Sequence, residues 1–407
     1  MDGTRTRRSG GWLRWAFVIG AASTGAAFVA CGGDDNANAP LTQDASTDNG
    51  SSGTSSGSSG TSSGADGNAS SSGSDGATND ANDGQAAGIV TVTNQVGIQG
   101  RQLAVDGTNV YWTDEIASDA GGNVGRVMKI AVGGGTPTEI ARYPADQSTG
   151  WIGVDATSIY WAVKGTTIAD RGIWKAPIAG GAPVQIYSPG NYVNGTTCDP
   201  LQVTLGTANL AFKLDGPSIV GAVPIGGGPT TDLTPDIAKG MIYAQGIGAD
   251  STYAYFQSGG SSFTDGVIRK SPFGSDAWPT DIVKPDDGGI AQYVSGFGDL
   301  VVSGGNLYWG NNQNETLFKV AVNGGTPTAI ATGPKAGNIA HLAVDGTNAY
   351  WIPSPFNPSI VMKVSVNGGA ASTLATGSST ETYASPIAVD ATSVYWFSPP
   401  HLYKTAK

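Results

Sequence analysis

Val105-Asp106-Gly107-Thr108-Asn109-Val110-Tyr111-Trp112 decides the fold, because the chain keeps returning to it. VDATSIYW ends at Trp161, VDGTNAYW at Trp351 and VDATSVYW at Trp396. Looser copies are GTANLAF ending at Phe212, ADSTYAYF ending at Phe256 and VSGGNLYW ending at Trp309. These seven aromatic positions are spaced 49, 51, 44, 53, 42 and 45 residues apart. A recurring period of this length marks a repeat architecture.

A second half follows each copy: a strand such as VMKIAV, then Gly-Gly, then a strand such as TPTEIA. IWKAPIAGGAPVQIY, LFKVAVNGGTPTAIA and VMKVSVNGGAASTLA repeat it. The Asp-Gly-Thr-Asn and Gly-Gly pieces are hairpin-turn chemistry. Each repeat therefore reads as four short strands, the spacing of a β-propeller blade. The last repeat stops at Leu402-Tyr403-Lys404-Thr405, in its third strand, while Ile89-Val90-Thr91-Val92-Thr93 is a strand without a repeat of its own. Joining the two completes a last blade and removes the exposed edges of a linear array. The expected fold is all-β: a seven-bladed β-propeller over 87–407, its last blade closed by the N-terminal strand.

Tyr111-Trp112-Thr113-Asp114 spells YWTD, and the repeats resemble the YWTD, NHL and TolB-like propeller families. The resemblance implies fold and leaves function to the site. The aspartate of that motif stands in the first repeat alone; Ala162, Lys213, Gln257, Gly310, Ile352 and Phe397 follow the other aromatics. The Tyr-Trp pairs read as packing between blades. The recurring Asp106, Asp155, Asp250, Asp345 and Asp390 read as Asx-type caps of the turns they precede.

Composition agrees with an all-β domain plus a non-globular segment. There are 62 Gly, 10 Trp and 14 Tyr, and only 13% of residues are charged. The formal charge of −11 argues against nucleic-acid binding. Arg5, Arg7, Arg8 and Arg14 precede an apolar run from Trp15 to Ala30, short for a membrane-spanning helix and right for a signal peptide over 1–30. Phe28-Val29-Ala30-Cys31 resembles the lipobox of bacterial lipoproteins, which implies lipidation of Cys31 and anchoring in the cell envelope, with Gly32 favouring the outer membrane. Cleavage as an ordinary signal peptide near Ala27 or Ala30, an uncleaved anchor, and twin-arginine export through Arg7-Arg8 are the alternatives. Residues 31–86, with stretches such as SSGTSSGSSGTSSG, hold too little apolar matter to fold and read as a disordered tether spanning ~40 Å. Cys198 is then left without an intrachain partner and reads as a tolerated loop thiol.

The two turns within each repeat are short and uniform, whereas the loops at the other end are long and varied, and variable loops carry function. These loops include TDEIASDAGGNVG, AVKGTTIADRG, RYPADQSTGW and KPDDGGIAQYVSGFGD. Tyr143, Trp151, Tyr187, Tyr192, Tyr243, Phe263, Tyr293, Phe297, Phe356 and Tyr383 gather there. A ligand face for a protein, peptide or glycan is expected at that end and over the central channel. The acidic pairs Asp114-Glu115 and Asp286-Asp287 read as solvated loop residues. No cofactor, no metal site and no catalytic motif is recognised. Were the channel catalytic, as in propeller hydrolases or lyases, His341 with Asp119, Asp265 and Asp286 would be the residues to inspect. The expected function is a membrane-anchored binding or scaffolding module.

Overall fold

The computed structural model describes residues 88–97, 99–119, 121–145, 147–167, 169–189, 199–214, 219–234, 243–259, 267–275, 277–283, 298–311, 315–333, 338–354, 360–376 and 385–407. No α-helix occurs among them. Their 28 strands fall into seven antiparallel four-stranded units. The innermost strands are Gln99–Val105, Gln147–Val154, Pro200–Leu205, Tyr243–Ala249, Leu300–Ser303, Asn338–Val344 and Ile387–Val389. The second strands, which carry the aromatic pair, are Asn109–Ala117, Ser158–Gly165, Asn209–Leu214, Tyr253–Gly259, Asn306–Asn311, Asn348–Ser354 and Ser393–Ser398. Third and fourth strands follow outward. The first two units share one sheet through a single parallel bridge, Val124 to Gln147.

The chain is a β-propeller. Each innermost strand packs beside the next, and Ile387–Val389 packs beside Gln99–Val105. The seventh unit takes its outer strand from the other end of the sequence: Ile89–Thr93 pairs antiparallel with His401–Ala406. Thr405 Oγ1 donates to Gly88 O at 3.1 Å, and Val96 N–H donates to Pro400 O at 3.0 Å.

The core is divided into wedges. Adjacent residues of a strand point to opposite faces, so Tyr and Trp of one pair serve different neighbours. Tyr111 clusters with Trp161, Tyr160 with Phe212, Tyr255 with Trp309, Tyr308 with Trp351, Tyr350 with Trp396, and Tyr395 with Trp112. In the remaining wedge Ala211 stands in the tyrosine position and meets Phe256. All five tryptophans of the motif are fully buried. Burying a side chain of this size stabilises by about 1.5–3 kcal/mol, and the gain recurs in every wedge.

Two polar devices repeat at the turn end. Asp106 Oδ1 accepts the N–H groups of Thr108 and Asn109, each at 2.8 Å, which is an Asx turn. Its other oxygen accepts the Tyr111 hydroxyl at 2.8 Å. Asp155, Asp250, Asp345 and Asp390 do the same with Tyr160, Tyr255, Tyr350 and Tyr395. Partial burial opposes ionisation of these carboxyls, but the donors outweigh it and hold all five below the usual carboxylate value. The tyrosines shift the other way: burial and the facing carboxylate raise the Tyr350 hydroxyl to about 12. Where Gly206 replaces the aspartate, Ala211 replaces the tyrosine, so the pair is lost together. The second device is a lysine in the third strand. Lys129, Lys175, Lys270, Lys319 and Lys404 donate to the main-chain oxygens of Ile178, Ile225, Val322, Val366 and Val132, each in the next unit round. The last of these joins the seventh unit to the first at 2.7 Å.

Candidate functional site

The innermost strands surround a cavity of about 690 Å³ to which all seven contribute. Several of the lining side chains are delivered by a local irregularity. In five units the pairing between first and second strand slips near the loop end: between Gly100 and Gln102, Thr149 and Ile152, Pro200 and Gln202, Ala244 and Ile247, and Ile339 and Leu342. A β-bulge leaves an extra residue unpaired and re-aims its side chain. The residues in these slips include Arg101, Trp151, Leu201 and His341, and all four line the cavity.

His341 Nδ1 lies 3.3 Å from Asp299 Oδ2, and the same oxygen accepts the Leu342 N–H at 3.1 Å. Burial alone would lower the imidazole pKa. The Asp299 charge and hydrogen bond outweigh it and raise the value above that of a free histidine. His341 is a half-buried side chain hydrogen-bonded to Asp299 on the wall formed by units five and six, with its side chain 20% exposed.

The wall formed by units one to three differs. Arg101 Nη2 donates to Glu115 Oε1 at 2.8 Å, and Asn123 Nδ2 holds the other Glu115 oxygen at 3.2 Å. Arg101 Nε and Gln202 Oε1 are buried without a hydrogen-bond partner. Lys164, from the second strand of unit two, also lines the cavity. Trp151 lies along its own strand: a β-carbon at Gly153 would sit 2.4 Å from the indole, so a larger residue there would have to displace the ring.

The loop-end aromatics scatter on inspection. Trp151 is the described one that borders the cavity. Tyr143 is a correction: RYPADQSTGW is largely strand, and Tyr143 is buried with its hydroxyl accepting from Trp161 Nε1 at 2.7 Å. Tyr187 is another, since it packs on Phe212 in a wedge with centroids 4.4 Å apart. Tyr243 opens an innermost strand. Tyr192, Phe263, Tyr293, Phe297, Phe356 and Tyr383 lie outside the described residues, as do Cys31, Cys198, Asp265 and Asp286. Asp119 is exposed in the loop of unit one and is not brought to His341; Asp299 holds that place. No signal in the sequence marked Asp299, Arg101, Lys164 or Gln202, because cavity positions do not repeat.

Asp114 and Glu115 are a further correction. The second strand of unit one runs on to Ala117, so both are buried strand residues, Asp114 completely. Arg126 grips Asp114 with two hydrogen bonds of 2.8 Å, and Trp112 Nε1 and the Gly97 N–H complete the set. Gly97 belongs to the segment that passes from the closing strand to the first innermost strand. The YWTD aspartate thus pins a crossing that occurs once in the ring, which explains why one unit carries it.

No family model matches this chain, and no curated protein matches it. Solved structures do. An acylaminoacyl peptidase from Pyrococcus horikoshii is similar with a TM-score of 0.50 and 9% identity, over 75% of this chain and 52% of that one. The β-propeller domain of the trilobed protease from Pyrococcus furiosus has a TM-score of 0.48 and 11% identity over 75% of this chain and 91% of its own. TolB from Acinetobacter baumannii has a TM-score of 0.40 and 9% identity over 74% and 80%. Likeness at such identity speaks to fold alone.

Proposed function

We propose that this chain is an exported, lipid-anchored binding module: a closed seven-bladed propeller over 87–407, held by a tether over 31–86 to a lipid on Cys31. The signal-like run before Cys31 and the tether composition support the address. One wedge between each pair of adjacent units supports the blade count. The ligand site is the channel and the loop end above it.

One observation carries the binding reading: the bulges that deliver Arg101, Trp151, Leu201 and His341 into one cavity. The cavity mixes an aromatic, amides, hydroxyls and aliphatic side chains, as small-ligand sites do. Its described acid–base groups besides the cationic side chains are His341 and Asp299, two rather than the three or more that would favour a hydrolase or lyase. Glycan and peptide arrays probed with the full chain are expected to give hits in one class, weakened about tenfold or more by Trp151→Ala. Hits unaffected by that change place the ligand elsewhere. Incorporation of labelled palmitate, lost in Cys31→Ala, tests the anchor; a Cys31→Ala protein that still labels refutes it.

A further inference from the structure

The channel has an apolar side and a hydrogen-bonding side that face each other. On unit two, the slip lays the Trp151 indole along its own strand at Gly153. The ring leans on the wedge toward unit three and stays half-exposed where it borders the channel. Leu201, from the slip of unit three, lines the same side and is 43% exposed. In a ring of seven, unit two stands opposite the seam of units five and six, and that seam carries Asp299 and His341. Asp299 uses only Oδ2 on His341 and the Leu342 N–H. Its Oδ1 has no partner among the described residues, and the side chain is 39% exposed. His341 uses only Nδ1, so Nε2 also has no partner among the described residues. A carboxylate oxygen and a ring nitrogen thus stand side by side, across from a flat apolar platform.

The charges at the channel select no ion. Arg101 is held by Glu115, and Asp299 bonds His341. A cation lying on the indole would meet Lys164 on the same unit, and an anion spanning the channel would meet Asp299. The ligand that suits both sides is neutral, with C–H groups on one face and groups elsewhere that both donate and accept.

We propose that the channel binds a neutral sugar of one or two rings. Its C–H face buries against Trp151 and Leu201, and its hydroxyls reach Asp299 Oδ1 and His341 Nε2. A cavity of about 690 Å³ admits a molecule of that size. The proposal rests on the channel being the binding site.

The test is to probe an array of neutral glycans with the full chain, then to titrate the best hit and free phenylalanine by calorimetry. A neutral glycan is expected to bind, and phenylalanine is not. Trp151→Ala is expected to weaken the glycan about tenfold or more, and Trp151→Phe to keep most of the affinity. Asp299→Asn is expected to weaken it about tenfold by removing a charge-assisted bond. Lys164→Gln is expected to change it by less than about threefold. An array without neutral hits, or a loss on Lys164→Gln as large as that on Asp299→Asn, overturns the proposal. Phenylalanine binding that Trp151→Ala abolishes, with no glycan bound, removes the sugar and keeps the channel as the site. Glycan hits indifferent to both Trp151→Ala and Asp299→Asn remove the channel as well.

Discussion

The two ends of this propeller are built on different logics. At the turn end one bond set recurs: an aspartate capping its turn and holding a tyrosine, and a lysine reaching the next unit. At the loop end each unit is individual. Unit one has the Asp114–Arg126 pair, Arg171 pairs with Asp199 beyond it, and His341–Asp299 joins units five and six. Every wedge faces the same packing problem, so its solution is written periodically. A crossing or a ligand position occurs once, so its residues have no period.

The largest effect that would break this contrast is at Arg126. Arg126→Met leaves Asp114 charged, buried and unpaired, and is expected to cost about 3–5 kcal/mol in denaturant unfolding. Replacing both, with Asp114→Leu added, is expected to recover only part of that, because leucine leaves the Trp112 Nε1–H and Gly97 N–H donors without their acceptor. A loss under about 1 kcal/mol for Arg126→Met would mean that the loop end is as replaceable as any single turn-end bond.

At the turn end smaller and equal losses are expected. Tyr160→Phe, Tyr255→Phe and Tyr395→Phe should each cost about 0.5–1.5 kcal/mol. Tyr308→Phe should cost less, because Ser303 stands where five of the other units have aspartate. Unequal losses among the first three, read from urea midpoints, would show that the repeated bond is repeated only in form.

The smallest effect is pH-dependent. His341 has a raised pKa in the folded chain because of Asp299. The stability it contributes is therefore fully present below the unfolded value of about 6.5 and is lost as pH rises through the higher folded value. The thermal-midpoint advantage of the parent over His341→Gln should be larger near pH 5.5 than near pH 8.5. An advantage that grows with pH would disprove the pairing.

The repeat was legible because packing has a period. Alternation of Tyr and Trp along one strand predicts two opposed wedges, and the wedge clusters follow it. The closing strand was legible from a missing fourth strand at one end and a spare one at the other. Asp114 was misplaced because two adjacent acidic residues read as solvated, although the equivalent position lies in the second strand of the other units too, Asn311 and Ser398 among them. The cavity was mostly illegible. Arg101, Trp151, Leu201 and His341 arrive through register slips, and a slip changes which face a side chain takes without changing the local composition. His341 was found because only two histidines exist in the chain; Lys164 and Gln202 had nothing to distinguish them.

The seam between Gly88 and Thr405 spans 317 positions of the chain. During synthesis the strand Ile89–Thr93 emerges first, yet its partner emerges last. Contacts so distant in sequence slow folding. The six complete units gain their own hairpins as they appear, while the earliest strand waits as a loose end for the final residues. A truncation of the last half-dozen positions would therefore strip Ile89–Thr93 of its partner and bare the outer border of Ser393–Ser398, while Ile387–Val389 still packs beside Gln99–Val105.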